Sequence, residues 1–151
     1  MTKGEIAEAL FREGYNCCQS VAGAFAKEIG LPLETVARLV SGFGGGMGRM
    51  REVCGAVSGM VFVAGALRGY SNPAAKEEKT RAYELVRALA EEFRQQNGSI
   101  ICRELLGLAQ PEGVAQAEAR TETYYRKRPC AQLCHIAADL AAKALLPQTK
   151  E

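Results

Sequence analysis

The sequence predicts an all-α fold, a compact single-domain bundle of about six to seven helices over residues 1–151. Three observations support this prediction. Apolar residues recur at helical spacing almost throughout, helix start and stop signals punctuate the chain, and no stretch alternates as a strand would. The chain is long enough to bury one core, and no linker or internal repeat divides it.

The first two helices are predicted from paired polar residues. Thr2 followed by Glu5, and Asn16 followed by Gln19, match the capping-box pattern, in which two side chains satisfy free N–H groups at a helix start. Gly30 ends the second of these helices, because glycine readily adopts the left-handed conformation of a helix C-cap.

The middle of the chain predicts three further helices. A short one runs over about 32–40, beginning at a proline, and a glycine-rich loop follows it. A central helix of small residues spans about 52–67. The longest helix begins at Asn72-Pro73 and ends at Asn97-Gly98. Its apolar stripe consists of Ala82, Leu85, Val86, Leu89, Ala90 and Phe93.

The C-terminal third is less regular. Ser99 is expected to cap a helix through Leu106, and Pro129 to begin the last helix. The stretch 111–128 is polar and poorly periodic, so its helix is only weakly indicated. The basic run at 124–128 is interpreted as a solvated helix end.

Charge and hydropathy narrow the classes of function. Nineteen Lys and Arg against seventeen Asp and Glu give a net charge of +2, which predicts no nucleic-acid partner. The longest uncharged run, taken as 53–67, is too short to cross a membrane, so no membrane insertion is expected. The N-terminus lacks the pattern of a signal peptide, and we therefore expect a cytoplasmic protein with reduced thiols.

Four of the six cysteines fall at predicted helix starts. Cys17 follows the Asn16 cap, Cys54 lies in the first turn of the central helix, Cys102 comes three residues after Ser99, and Cys130 follows a proline. The partial positive charge of a helix start favours thiolate over thiol. If these starts converge, they form a four-cysteine site. A small buried residue is the ordinary alternative at each position, and from the residues alone both interpretations stay open.

The remaining candidate residues are interpreted more simply. Cys18 shares an apolar stripe with its neighbours and is expected to fill the core. Cys134 lies one turn after Cys130 and is expected to be buried, with a role as an alternative ligand left open. His135, the only histidine, is interpreted as a polar surface residue.

The stretch "GFGGGMGRMREVCGAVSG" is not a nucleotide loop. It lacks the Lys-Ser/Thr of a phosphate-binding loop, and no strand precedes it as a dinucleotide site requires. Its glycines let the backbone adopt positive φ and pass close to a cofactor or a neighbouring helix. Gly45, Gly46 and Gly55 are the candidate cofactor-binding positions, and an anion beside Arg49 and Arg51 stays open.

Four spaced motifs carry a resemblance to a known family: "GYNCCQSV", "GGGMGRMREVCGAVSG", "CRELLG" and "CAQLCHIAA". They resemble the redox-active proteins named for a Cys-Gly-Ala-x-x-Gly pattern and four characteristic cysteines. The matching positions here are Cys17, Cys54, Cys102 and Cys130, whereas Cys18 and Cys134 depart from the pattern. A similar segment accompanies the haem domain of split-Soret cytochromes together with an iron–sulfur centre, and the resemblance therefore implies such a cluster rather than zinc. It also implies association with a transporter system.

The first hypothesis is an iron–sulfur cluster of open nuclearity, held by these four cysteines as metal ligands. The protein would then act in electron transfer, redox sensing or cluster handling, with a redox partner protein and a homodimer as expected associations. A metal-free thiol/disulfide protein, a structural zinc protein and a ligand-binding helical module are the alternatives. No reaction and no catalytic residue are predicted.

Overall fold

The structure, a computed structural model, describes residues 1–108 and 114–148. In these two ranges the chain forms nine α-helices and a 3-10 turn at Ser41–Phe43. The helices are α1 (Lys3–Arg12), α2 (Cys17–Gly23), α3 (Ala26–Ile29), α4 (Leu33–Leu39), α5 (Gly55–Arg68), α6 (Lys76–Asn97), α7 (Cys102–Leu105), α8 (Glu122–Lys127) and α9 (Cys130–Leu145). The same ranges contain no strand, and the all-α prediction is confirmed. The helices outnumber the predicted six to seven because several have only one or two turns.

The polar start signals and the glycine stop signals form as predicted. The side chain of Thr2 caps α1. Asn16 Oδ1 accepts from Gln19 N at 2.9 Å, and Gln19 Oε1 accepts from Asn16 N at 3.0 Å, which completes the capping box of α2. Gly30 and Gly98 end α3 and α6 with φ of 84° and 90°. Local chemistry therefore decides where these helices begin and end.

The second predicted helix is broken into α2 and α3, which corrects the expectation of one continuous helix. Ser20 Oγ donates to the carbonyl of Asn16 at 2.8 Å, a bond that competes with the helical ladder and tends to bend helices. At the break, Lys3 Nζ donates to the carbonyl of Ala24 at 3.0 Å. Phe25 lies between the two helices and is fully buried.

A short antiparallel contact delays the start of α5 and α7. Val53 and Ile101 form an isolated bridge, Cys54 N donates to the carbonyl of Ile100 at 2.8 Å, and Cys102 N donates to the carbonyl of Glu52. The predicted helix starts at 52 and just after Ser99 are therefore wrong by about a turn. The bridge fixes two cysteines, 48 positions apart in sequence, next to each other in space.

The long and the last helices follow the prediction with small shifts. α6 begins at Lys76 because Asn72 forms a turn, its side chain accepting from Ala74 N at 3.0 Å. Leu89 and Phe93 are the buried members of the predicted stripe. Of the weakly indicated 111–128 helix, 111–113 lie outside the described residues, 114–121 are not helical, and α8 forms the end.

Close packing of small residues holds the helical bundle together. α2, α5 and α9 contact one another, and α9 also contacts α1 and α6. A Cβ at Gly59 would lie 2.7 Å from Val21 Cβ, which shows that the bare face of α5 brings α2 close. Across the described ranges, no helix combines the length and apolar character needed to span a membrane.

Candidate thiol site

The four predicted cysteines lie at the starts of four helices. Cys17, Cys102 and Cys130 are the first residues of α2, α7 and α9. Cys54 occupies the N-cap position immediately before α5, not the first turn as expected. Its sulfur accepts hydrogen bonds from the backbone N–H groups of the first turn of that helix.

These four helix starts converge on one small cavity of about 50 Å³. The cavity is lined by all four cysteines and by the three glycines predicted to bind a cofactor: Cys17, Cys54, Cys102, Cys130, Gly45, Gly46 and Gly55. Its apolar wall consists of Phe11, Leu105, Leu106 and Leu133, and its polar wall includes Arg51, Arg120 and Tyr124. We call this space the thiol cavity.

Three thiols are near neighbours at its inner side. The Cys17 thiol is hydrogen-bonded with the thiols of Cys130 and Cys134. Cys134 Sγ also donates to the carbonyl of Cys17 at 3.8 Å. The cavity is not lined by Cys134, which is fully buried behind it, and all six cysteines are free thiols.

The other two residues with open roles lie away from the cavity. Cys18 is fully buried in the hydrophobic core, as expected of a core residue. His135 is half-buried between two acids, with Nε2 3.2 Å from Asp139 Oδ2 and Nδ1 3.8 Å from Glu8 Oε1. The histidine therefore belongs to the contact between α1 and α9 and takes no part in the thiol site.

Two glycines allow the backbone to approach the cysteines closely. A Cβ at Gly46 would lie 2.7 Å from Cys102 Cβ and 2.7 Å from Glu52 N, and a Cβ at Gly55 would lie 3.1 Å from Cys17 Cβ. Real Cβ atoms essentially never show contacts under 3.0 Å, so no other residue fits at Gly46 without a shift. Gly46 and, less strictly, Gly55 are thus fitted to the cysteines that they adjoin.

The loop that carries Gly46 has an unusual backbone. Six of the seven residues at 45–51 have φ between 56° and 71°, among them the non-glycine residues Met47, Arg49 and Arg51. Each non-glycine residue in this conformation costs about 1–2 kcal/mol. Six internal hydrogen bonds hold the loop, all donated by N–H groups at 47–52 and accepted by carbonyls at 42–47. We call residues 42–51 the glycine loop.

Arg51 is the residue whose position beside the cysteines sequence reasoning missed, having considered it only as a contact for an anion. It is 7% exposed, and its Nη1 donates to Cys102 Sγ at 3.7 Å. Its charge favours the thiolate forms of Cys102 and Cys130. A buried arginine beside cysteines is uncommon, because burial of a charge is costly unless an opposite charge or a polar group is near.

Two further arginines approach the cavity from the 114–128 region. Arg120 stacks on the ring of Phe11 with its Cζ 4.2 Å from the ring centroid, and Arg128 lies 5.8 Å from the ring centroid of Tyr124. The prediction of a solvated helix end at 124–128 holds for Arg126, which is exposed. It is wrong for Tyr124 and Arg128, which are partly buried against the site.

Burial outweighs the helix starts in setting the cysteine pKa values. Burial raises the pKa of Cys54 to about 12, even though two backbone N–H groups donate to its sulfur. Burial also raises the pKa of Cys102, although Arg51 lowers it in part. The pKa of Cys130 is raised by its hydrogen bond with Cys17 and by burial. At Cys54 the helix start does favour the thiolate, because its N–H groups lower the pKa, but burial has the larger effect. Without a bound cation the cavity holds neutral thiols at pH 7.

The structural-zinc alternative requires several ligands grouped around one metal ion. In residues 1–108 and 114–148, no three Cys, His, Asp or Glu side chains are grouped closely enough to hold one ion.

A separate groove of about 550 Å³ between the end of α5 and α6 contains no cysteine and carries charges of both signs, including Arg68, Glu78 and Arg81. It is the kind of cavity expected under the ligand-binding alternative.

The fold and the site together define a small helical protein in which four helix starts deliver four cysteines to one buried cavity. Residues 15–144, which include all six cysteines, match the model of the family described as "Putative redox-active protein (C_GCAxxG_C_C)". The chain belongs to this family, and the resemblance drawn from its four motifs is confirmed. No curated protein and no solved structure matches the chain.

Proposed function

We propose that the protein is a small redox protein that binds an iron–sulfur cluster through Cys17, Cys54, Cys102 and Cys130. The observation that carries the proposal is the convergence of these four cysteines on one cavity. They come from four elements spread over more than a hundred residues, and membership of the family supports a redox role for them. Electron transfer, redox sensing and cluster handling are the roles that such a site could serve.

The chemistry of the cavity fits an iron–sulfur cluster. Four thiolates are the usual ligands of these clusters, and they make the centre anionic. Arg51 donates to Cys102, and the charge of Arg128 also favours the thiolates of Cys102 and Cys130. Because Gly46 and Gly55 have no side chain, the backbone can lie close to the cysteines there. Its N–H groups can then donate to sulfur and adjust the reduction potential.

A redox centre is favoured over a structural zinc ion by the family's description as redox-active, because zinc has no redox chemistry of its own. Either centre would use the four cysteines that share the cavity. Cluster binding would replace the hydrogen bonds that Cys17 makes with Cys130 and Cys134.

A bound cluster supplies one-electron transfer, and the chain determines its surroundings. Phe11, Leu105 and Leu133 limit the access of water from the apolar side of the cavity. The buried Arg51 compensates part of the negative charge. Because burial raises the pKa of the free thiols, binding the cluster must release their protons, and the affinity is expected to rise with pH.

Metal and sulfide analysis of anaerobically purified protein tests the proposal. Iron and acid-labile sulfide in near-equal amounts, with visible charge-transfer absorption, are the expected result. The protein would be measured as purified and again after reconstitution with iron and sulfide, with zinc determined on the same samples. Absence of iron in both preparations would refute the cluster, and zinc in equimolar amount would favour the structural-zinc alternative.

A metal-free thiol function is the second candidate, because Cys17 is in hydrogen-bonding contact with both Cys130 and Cys134. Oxidation of such a pair to a disulfide would release two protons and two electrons to a disulfide or peroxide oxidant. Burial opposes this function, since the neutral thiols in the cavity are weak nucleophiles. The thiol candidate predicts a colourless protein that loses two titratable thiols on oxidation.

A further inference from the structure

One side of the thiol cavity is covered by residues 114–128, which we call the strap. Its first part, 114–121, is not helical, and α8 follows. Arg120 and Tyr124 of the strap line the thiol cavity, and the same two side chains also line a surface groove of about 440 Å³. These two side chains therefore lie between the cysteines and the solvent.

The cysteines of the cavity are hard to reach from outside. Cys54, Cys102 and Cys130 are 4%, 7% and 8% exposed. The cavity itself, with a volume of about 50 Å³, has room for only a few water molecules. A molecule much larger than water can therefore reach these sulfurs only after one wall of the cavity has moved outward.

The walls of the cavity differ in how they are attached to the rest of the fold. α2, α5 and α9 contact one another and contribute buried side chains to the core. Among the described residues, no backbone–backbone hydrogen bond joins the strap to another segment, and residues 114–119 are exposed. A segment with few buried contacts opens at a lower free-energy cost than a core does. The strap is thus the wall that can open while the core stays folded.

Arg120 makes the principal attachment of the strap to the helices. Its guanidinium stacks on the ring of Phe11 and donates to the carbonyls of Phe11 and Tyr15 at 2.9 and 3.0 Å. These carbonyls lie at and just after the end of α1, where the helix dipole favours a positive charge. Tyr125 adds a weaker attachment, because its hydroxyl donates to the carbonyl of Arg12 at 3.2 Å.

Contacts within the strap connect its parts to one another. Glu118 Oε2 lies 3.1 Å from Arg128 Nη2, which joins the non-helical part to the residue that follows α8. The rings of Tyr124 and Tyr125 pack edge to face with their centroids 5.5 Å apart. Loss of the contacts with α1 would therefore release these residues together, and displacement of Tyr124 would connect the cavity to the surface groove.

We propose that the strap is the gate of the thiol cavity and that Arg120 is the residue that holds it closed. When the guanidinium leaves the two carbonyls, the strap moves outward and the cysteines become accessible from the surface groove. Under the proposed function the opening admits iron and sulfide, and that part rests on the cluster. The opening itself does not, because the strap covers the thiols of the metal-free protein.

Alkylation of the reduced, metal-free protein by N-ethylmaleimide tests the proposal, with the rate measured at each cysteine by mass spectrometry. Arg120→Met keeps much of the side-chain length but removes the donors. Labelling of the cavity cysteines should then be about tenfold faster or more, the effect of losing one hydrogen bond from a charged group on the population of the open form. Tyr125→Phe removes one neutral hydrogen bond and should accelerate labelling by a smaller factor.

Arg126→Met is the matched control for this experiment. It removes the same charge from the same strap, at an exposed position where the arginine pairs with Glu122. It should change the labelling rates by less than about twofold. Cys18 is the internal reference, because it is fully buried in the core and lies outside the cavity lining, so its labelling should be unchanged in Arg120→Met.

Three results would overturn the proposal. They are unchanged labelling of the cavity cysteines in Arg120→Met, an equal acceleration in Arg126→Met, and an equal acceleration at Cys18, which would indicate a general loss of stability. Reconstitution with iron and sulfide should also be faster in Arg120→Met and reach the same final iron content. A protein that takes up no iron would refute the cluster, whereas the labelling rates of the metal-free protein decide the role of the strap.

Discussion

Substitution of Gly46 by alanine tests whether the glycine loop is fitted to the cysteines. The added Cβ would lie 2.7 Å from Cys102 Cβ, 2.7 Å from Glu52 N and 2.8 Å from Arg51 Cα, at a φ of 71°. The left-handed conformation costs about 1–2 kcal/mol for a residue with a Cβ, and forcing a methyl group into a packed site costs about 1–3 kcal/mol more. Gly46→Ala should therefore lower the free energy of unfolding by about 2–5 kcal/mol, a large share of the about 5–15 kcal/mol typical of a domain.

Two glycines of the same loop serve as matched controls. Gly48 has a φ of 56° but nothing within 4 Å of an added Cβ, so Gly48→Ala should show the conformational cost alone, about 1–2 kcal/mol. Gly42 has open space and no positive φ, so Gly42→Ala should be neutral or stabilising by about 0.4–1 kcal/mol. The measurement is urea unfolding of the reduced, metal-free protein, which avoids the complication of a bound cofactor. Equal costs at Gly46 and Gly48 would refute the close approach to Cys102.

Three further predictions concern the cysteines and the cap that positions one of them. Alanine at each proposed ligand should abolish iron binding after reconstitution, whereas Cys18→Ala should retain it; full iron in any ligand variant would shift the ligand set towards Cys134. In the metal-free protein the free energy of unfolding should fall as pH rises above about 9. The pKa of Cys18 is 9.0 in the unfolded chain, and burial raises it to about 12 in the folded protein. Between these two values the thiol is therefore protonated only in the folded protein. Cys18→Ala should reduce that slope by about 1.4 kcal/mol per pH unit in urea unfolding between about pH 9 and 11, and an unchanged slope would contradict the burial argument. Asn16→Ala and Thr2→Ala should each cost about 1 kcal/mol as lost caps, but only Asn16→Ala should also reduce iron content, because Asn16 holds the start of α2 at the cavity. Equal iron in the two variants would show that the cap does not position Cys17.

The features that could be predicted from the sequence are those that short-range chemistry decides. The capping box at Asn16 needs only two side chains three positions apart, and Gly98 needs only a left-handed residue after a helix. The cysteines could be placed at helix starts for the same reason. Their convergence in one cavity stayed open from the residues alone and was expected from the family resemblance, and the structure brings all four together.

The features that escaped prediction depend on contacts between distant segments. Arg51 is buried because the left-handed glycine loop directs it towards Cys102, and no local pattern indicates positive φ at an arginine. The starts of α5 and α7 are set by the pairing of Val53 with Ile101, which no periodicity shows. The aromatic contacts of Arg120 involve a segment without helical periodicity, so its approach to Phe11 left no signal in the sequence.

The position of α9 in the chain has a consequence for synthesis on the ribosome. This helix supplies Cys130 and also packs against α1, α2, α5 and α6. At a translation rate of about 5–20 residues per second, Cys17, Cys54 and Cys102 emerge seconds before Cys130. During that interval the nascent chain lacks both Cys130 and much of its core. Its earlier thiols are then open to stray metals and oxidants until α9 is released and packs against the core.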